Sequence, residues 1–103
     1  MPILKRSEKS IQKAVVDYAR KKGAIAIKLS TAGMMGTAGW PDYLYLYEGK
    51  LVFHEYKRPG GKLTLLQAMR IHDLIEQRFV VTVCDDVDEA KRDLNYRFGW
   101  RHT

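Results

Sequence analysis

The fold is decided by residues Gly39 to Lys57, which read Gly-Trp-Pro-Asp-Tyr-Leu-Tyr-Leu-Tyr-Glu-Gly-Lys-Leu-Val-Phe-His-Glu-Tyr-Lys. Two runs of mostly apolar and aromatic residues, Tyr43 to Tyr47 and Leu51 to Tyr56, stand on either side of Glu-Gly-Lys. Runs of this kind, separated by a short segment that contains Gly, are typical of a β-hairpin. We therefore predict two antiparallel strands joined by a tight turn.

The charges of this hairpin fall on one face. Glu55 and Lys57 are two residues apart, so their side chains point to the same side of a strand. A Gly49-Lys50 turn pairs Asp42 with Lys57, whereas a Glu48-Gly49 turn pairs Asp42 with Glu55. Gly at the first central position suits a type II′ turn, which favours the first choice. Both turns place all three charged residues on one face, and a three-residue loop would separate them.

Two carboxylates and an ammonium group on one strand face indicate a metal site. Asp42 and Glu55 repel each other at close range, and a divalent cation between them would remove that repulsion. Mg²⁺ and Mn²⁺ prefer oxygen ligands, and Mg²⁺ takes few of them from protein. Lys57 could then hold or activate a water molecule and stabilise negative charge. The competing interpretation is that these charges only mark the edge of a sheet.

The same residues carry a family resemblance. Pro41-Asp42, followed after twelve residues by Glu55-Tyr56-Lys57, is similar to the PD-(D/E)XK nuclease signature. The wider pattern resembles the VRR-NUC branch of that superfamily. Glu8 stands at the start of the first predicted helix, a Gly-rich segment leads into Gly39 to Asp42, and Gln67 opens a later helix.

The resemblance extends over about residues 8–84 and implies both a fold and an activity. The fold is α/β, a restriction-endonuclease-like α-β-β-β-α-β core whose mixed sheet is flanked by helices, as one domain over residues 1–103. The activity is hydrolysis of DNA phosphodiester bonds by a divalent-metal-dependent endonuclease. The implied metal ligands for Mg²⁺ or Mn²⁺ are oxygen atoms of Asp42, Glu55, Glu8 and the Tyr56 backbone carbonyl.

The resemblance also assigns roles to the remaining site residues. It implies that Lys57 orients the attacking water, that Glu8 helps to place a second metal or a water, and that Gln67 supports the site. For two of them the sequence offers a structural alternative. Glu8 suits the first turn of a helix because of the helix dipole. Gln67 completes a capping box with Thr64.

The resemblance to Holliday-junction resolvases, which share this fold, implies branched DNA such as a four-way junction as the substrate. A homodimer would match the two-fold symmetry of such a junction. Two alternatives stay open: a nuclease that cuts flaps or nicked duplex, and a basic nucleic-acid-binding module without catalysis. The presence of Asp42, Glu55 and Lys57 together argues against the module, because acids facing phosphate weaken binding.

Composition agrees with a DNA partner. The 103 residues include 18 Lys and Arg against 12 Asp and Glu, a formal net charge of +6. A basic protein binds polyanions because phosphate contacts release counterions. Cys84 is the single cysteine, which excludes an internal disulfide and fits a reducing, cytoplasmic location. A phage or bacterial origin is what the family resemblance implies. No apolar run approaches the ~20 residues of a membrane span.

The N-terminal part predicts a helix, a strand and a loop. The helix is capped by Ser7 or Ser10 and ends at Gly23, which suits a left-handed cap. A short strand follows over residues 24–29. Residues 30–39 are rich in Gly and predict a loop.

The C-terminal part predicts a parallel strand between two helices. Thr64 begins a helix that runs to about Gln77, with four inward residues, Ala68, Ile71, Leu74 and Ile75. Residues 79–84 predict a strand buried on both faces. It should lie parallel to the second hairpin strand, because a helix connects them. The acidic run over residues 85–89 predicts the start of a third helix.

Three tyrosines in the hairpin, Tyr43, Tyr45 and Tyr47, point away from Asp42. An aromatic stripe of this kind can stack on bases. Here it favours packing beneath a helix or a dimer surface, because such stripes are more often core.

Overall fold

Seven elements follow one another in the computed structural model, which describes residues 6–29 and 36–101. They are α1 (Glu8–Lys21), β1 (Ile25–Lys28), β2 (Tyr43–Tyr47), β3 (Lys50–Tyr56), α2 (Leu65–Glu76), β4 (Val80–Cys84) and α3 (Val87–Phe98). This order confirms the predicted α-β-β-β-α-β core, and α3 follows it. Residues 30–35 of the predicted Gly-rich loop lie outside the described residues. No described helix has the length and apolar character needed to cross a membrane.

The four strands form one mixed sheet in the order β1-β2-β3-β4. β1 pairs antiparallel with β2, and β2 pairs antiparallel with β3. β3 and β4, which α2 connects, are parallel. The mixed sheet therefore agrees with the prediction, and β3, the strand that carries Glu55, belongs to its parallel pair.

The turn of the hairpin differs from the one that the sequence favoured. Tyr47 pairs with Lys50, so Glu48 and Gly49 form the turn, and the predicted Gly49-Lys50 turn is wrong. Both turn residues have positive φ, 46° and 77°, as a type I′ turn requires. This turn matches the twist of the strands, and strand pairing holds Glu48 in a conformation that its side chain disfavours. One residue beyond the Tyr43–His54 pair, Asp42 therefore lies opposite Glu55.

The main core lies on the sheet face away from Asp42, beneath α1 and α3. Ile11 and Val15 of α1 and Leu94 of α3 are fully buried there. Tyr45 is also fully buried, while Tyr47 packs its ring on Phe98 and Trp100 of the C-terminal segment. The tyrosine stripe is therefore core packing, one of the two predicted possibilities, and it is not a surface that stacks on bases.

The other face is covered less completely. In α2, Ile71 and Leu74 are buried as predicted, but Ala68 and Ile75 are exposed, so these two assignments are wrong. The prediction that β4 is buried on both faces is also wrong, since Val83 is 44% exposed. The reason is topological: β4 is an edge strand, and one of its sides has no neighbouring strand although both α2 and α3 pack against it.

Capping side chains begin α1 and α3, and a glycine follows α1, as the sequence predicts. Ser7 caps α1 by accepting a hydrogen bond from the Ser10 amide, and Gly23 follows the helix with φ of 98°. Asp86 caps α3 by accepting from the Glu89 amide, so the acidic run is a helix start. These contacts satisfy amides that a helix N-terminus would otherwise leave unpaired.

The type I′ turn makes a prediction about stability. Glu48→Asn should raise the free energy of unfolding by about 1 kcal/mol, because Asn tolerates the left-handed region better than Glu does. Chemical denaturation measures the change. Lys50→Asn is the matched control and should not stabilise, since Lys50 lies within β3. Stabilisation by Lys50→Asn alone would contradict this turn assignment.

Candidate active site

The carboxylate of Asp42 is fixed against the backbone of β3. Pro41 is buried, and the Asp42 carbonyl accepts a hydrogen bond of 2.8 Å from the Leu29 amide just after β1. The Asp42 Oδ2 accepts a second hydrogen bond, also 2.8 Å, from the Tyr56 amide. Asp42 is thus held by its backbone on one side and by its side chain on the other, next to the strand that carries Glu55.

A close approach of backbone to α2 positions the segment before Asp42. Gly39 has φ of 79°, and a Cβ atom there would lie 2.6 Å from Leu66 Cγ and 3.0 Å from the Leu66 carbonyl oxygen. Only Gly accepts both the conformation and the contact without strain. The Gly-x-Pro-Asp pattern therefore seats Asp42 beside the first turn of α2, where Gln67 lies.

Glu55 is the buried centre of the site, with 1% of its surface exposed. Its Oε2 atom accepts a hydrogen bond of 3.0 Å from Gln67 Nε2 and lies 3.7 Å from Lys57 Nζ. Its Oε1 atom is buried and has no hydrogen-bond partner within the described part of the chain. A buried carboxylate oxygen without a partner is unfavourable. Either a proton shared with Asp42 or a cation would complete its environment.

The electrostatics of the site show the same deficit of positive charge. Burial and the neighbouring Asp42 carboxylate raise the pKa of Glu55 to about 8, although the Lys57 ammonium acts in the opposite direction. One lysine therefore does not compensate two adjacent carboxylates in a poorly hydrated position. A divalent cation would favour the ionised form of both.

The residues present fit a hard divalent cation. Mg²⁺ is usually bound through one or two carboxylates and keeps its remaining positions for water and substrate phosphate. Asp42 and Glu55 supply such a pair, with one carboxylate oxygen of Glu55 unused. Among residues 6–29 and 36–101, no group of three His, Cys, Asp or Glu side chains could hold a metal. The composition of the site thus suits Mg²⁺ or Mn²⁺ and not a zinc site built from side chains alone.

Gln67 is both a helix cap and a neighbour of Glu55. Its Oε1 accepts from the Thr64 amide at 2.9 Å, and its own amide donates to Thr64 Oγ1 at 3.1 Å. Because the oxygen end faces a backbone N–H, the Nε2 end must be the donor to Glu55. The two interpretations of Gln67 from the sequence are therefore compatible, since each end of its amide serves one of them.

Glu8 is the one predicted site residue that no described hydrogen bond or ion pair connects to the others. It is the first residue of α1 and is exposed. Within the described ranges, no hydrogen bond or ion pair joins it to Asp42, Glu55 or Lys57. The structure thus brings Asp42, Glu55, Lys57 and Gln67 together and leaves Glu8 in the position expected of an acid at a helix start.

The buried carboxylate makes stability depend on pH in the metal-free protein. Folded Glu55 has a pKa of about 8, against 4.5 for an ordinary Glu, so the folded state binds more protons between these values. The free energy of unfolding should therefore fall as pH rises through this window, by at most about 1.4 kcal/mol per pH unit. Denaturation in the presence of a chelator should show this slope in wild type and lose it in Glu55→Gln.

The control for this measurement is Glu76→Gln, which removes an exposed carboxylate of α2. It should leave the pH dependence as in wild type. Equal slopes in wild type and Glu55→Gln would contradict the raised pKa.

The double role of Gln67 can be separated with Thr64. Thr64→Val removes the cap acceptor and should destabilise by about 1 kcal/mol, but it leaves the Gln67 side chain able to donate to Glu55. Gln67→Ala removes the donor as well, so the pKa of Glu55 should rise further, because a hydrogen bond to a carboxylate favours its charged form. NMR titration of the Glu55 carboxyl carbon measures this. If Glu55 titrates identically in both variants, Gln67 acts as a cap alone.

Comparison with known proteins agrees with the signature. No family model matches the sequence. A curated relative, "Putative nuclease p44" of Acyrthosiphon pisum secondary endosymbiont phage 1, is 39% identical over 82 residues, which cover 79% of this chain and 85% of the relative. A solved structure described as a VRR_NUC domain superimposes with a TM-score of 0.73 at 24% identity. The match covers 88% of this chain and 96% of that one. The chain therefore belongs to the family of putative nuclease p44 and has the fold of a VRR-NUC domain, which confirms the resemblance carried by its motifs.

Proposed function

We propose that this protein is a divalent-metal-dependent DNA endonuclease that uses Mg²⁺ or Mn²⁺. The observation that carries the proposal is the buried Glu55 carboxylate, whose Oε1 has no partner within the described residues although Asp42 and Lys57 stand beside it. Family membership supports nuclease activity, and the geometry supports the metal. A purely structural acid at this position would be expected to have both of its oxygens hydrogen-bonded.

The proposed ligands of the cation are Asp42, Glu55 and the Tyr56 backbone carbonyl. Such a cation, when bound, supplies polarisation of the phosphodiester and a lowered pKa for a water molecule. Gln67 holds Glu55 through Oε2, which leaves Oε1 free to serve as the ligand atom. Glu8, exposed at the start of α1, is proposed to help place a second metal or a water.

Lys57 is proposed to orient the attacking water and to stabilise the negative charge that develops on the phosphate. Its ammonium group lies 3.7 Å from Glu55 Oε2, and its side chain is only 12% exposed. A partly desolvated ammonium held in place acts more strongly on nearby charge than one in water. The lysine is therefore positioned before the substrate binds.

DNA, and branched DNA in particular, is the proposed substrate. The loop after β3 carries two exposed cations, Arg58 and Lys62, a few residues beyond Glu55 in the sequence. Phosphate contacts of this kind carry affinity without sequence readout, so the substrate would be selected by shape. We propose a four-way junction as the preferred substrate, bound by a homodimer whose two sites match its symmetry.

A surface that supports the homodimer lies on α2 and the neighbouring β4 edge. Large apolar side chains are exposed there, namely Leu65, Met69, Ile75, Phe79 and Val83. Exposed large apolar side chains on neighbouring elements often mark an interface between proteins. Alternative occupants of the same active site are flaps and nicked duplex, which a comparison of substrates distinguishes.

The testing experiment is a cleavage assay with four-way junction, flap, nicked duplex and single-stranded DNA, each with Mg²⁺, Mn²⁺ or a chelator. We expect metal-dependent cleavage with the junction cut fastest. Faster cleavage of a flap or nick would replace the junction proposal with its alternative. Tight binding with no cleavage of any substrate would leave the non-catalytic module.

Two substitutions test the roles of the site residues. Asp42→Asn keeps an oxygen that can accept from the Tyr56 amide, and Lys57→Ala removes only the ammonium and its stem, so both should fold. Each should lower the cleavage rate by about 100-fold or more while DNA binding stays nearly unchanged.

Asp73→Asn and Lys50→Ala are the matched controls, because they make the same charge changes at exposed positions on α2 and at the far end of β3. They should cleave like wild type. Normal turnover by Asp42→Asn would show that the signature is a coincidence here.

A further inference from the structure

A hydrogen-bonded network of buried polar side chains lies on the sheet face opposite the candidate active site. Tyr45 and Tyr56 place their hydroxyl oxygens 2.6 Å apart, and the Tyr56 hydroxyl lies 2.8 Å from His54 Nδ1. His54 Nε2 is 2.7 Å from Oδ2 of Asp93, which α3 contributes. Tyr45, His54 and Tyr56 have no exposed surface at all.

The direction of each hydrogen bond in this network follows from Asp93, the carboxylate at one end of it. Burial raises the pKa of Asp93, but hydrogen bonds from His54 and Thr82 and the nearby Arg97 together hold it below the usual value, so this carboxylate accepts only. Because His54 Nε2 lies 2.7 Å from this acceptor, the single N–H of a neutral imidazole lies on Nε2. Nδ1 therefore accepts from the Tyr56 hydroxyl, whose oxygen in turn accepts from Tyr45. Asp93 sets the orientation of every group that follows.

This network is not needed to fill the core, because apolar side chains could occupy the same space and no polar group would then be buried. A buried polar network is costly when one member loses its partner, and a complete one fixes its members in a single arrangement. Asp93 is itself held from the other side by Arg97 Nε at 3.3 Å. The network thus connects α3 rigidly to two neighbouring residues of β3, His54 and Tyr56.

The network is connected to the active site through the backbone of Tyr56. The side chain of this residue points into the network, while its amide donates to Asp42 Oδ2 at 2.8 Å on the site side. Lys57, the next residue, donates its amide to the Cys84 carbonyl of β4 at 2.9 Å. A rotation of the peptide unit between Glu55 and Tyr56, which carries the Tyr56 N–H, would therefore move Asp42 directly.

We propose that the Asp93–His54 pair acts through the Tyr56 hydroxyl as a positioning element for the metal-binding carboxylates. In this proposal the side chains of Asp93, His54 and Tyr56 touch neither the metal nor the DNA. They hold the backbone of Tyr56, whose N–H donates to Asp42 and whose carbonyl is the proposed ligand of the cation. This inference rests on the proposed function, and it adds three positioning residues, drawn from β3 and α3, to that site.

The test measures Mn²⁺ affinity by calorimetry without DNA, together with the denaturation midpoint. Tyr56→Phe keeps the ring and removes the hydroxyl, and it should weaken Mn²⁺ binding by about 10-fold, as loss of an outer-shell partner typically does. Asp93→Asn can no longer impose one orientation on His54, and it should weaken Mn²⁺ binding in the same direction by less. It serves as the second variant if Tyr56→Phe fails to fold.

Two controls separate positioning from stability. Tyr43→Phe removes a hydroxyl from the same face of β2 that has no hydrogen bond within the described residues, and it should bind Mn²⁺ like wild type. Val15→Ala creates a cavity in the same core and should lower the midpoint without changing Mn²⁺ affinity.

Wild-type affinity in both Tyr56→Phe and Asp93→Asn would overturn the inference and leave the proposed function standing. A loss of affinity in Val15→Ala equal to that in Tyr56→Phe would also overturn it, because stability alone would then explain the effect. Failure of the wild type itself to bind Mn²⁺ would overturn the proposed function and this inference together.

Discussion

The register of the β2–β3 hairpin is the constraint on which the candidate site depends. Side chains alternate between the faces of a strand, so a shift of one residue would send Asp42 to the face away from Glu55. The type I′ turn at Glu48-Gly49 prevents this shift and places the two carboxylates opposite each other. The strained φ of Glu48 is one cost of that register, and it is offset by strand pairing along the whole hairpin.

The register creates a second cost, because it brings two carboxylates together where one of them is buried. Gln67 and Lys57 both contact Oε2 of Glu55, and neither contacts Oε1. An apolar pair at these positions would stabilise the fold more. The retained repulsion is therefore best explained by a ligand that binds the folded state and relieves it, since such binding adds to stability by mass action.

The sequence predicted those features that depend on local periodicity. The shared face of Asp42, Glu55 and Lys57 followed from alternation, and the Thr64–Gln67 capping box followed from spacing. The turn could not be predicted, because the conformational preference of Glu48 opposed the outcome and pairing decided it. The exposure of Val83 depends on which strand lies at the edge, which no local pattern encodes. Asp93 and His54 meet across 39 residues, so their contact needed the fold.

β3 carries different chemistry on its two faces, and its peptides connect them. Glu55 faces the incomplete carboxylate site, whereas His54 and Tyr56 face a network in which each hydrogen bond has a defined direction. Buried polar groups on both faces of one strand are unfavourable for stability alone. They are explained if the strand must hold the backbone of Tyr56 in a fixed orientation. Rigid packing of α3 on the reverse face would then act on the same geometry as the ligands themselves.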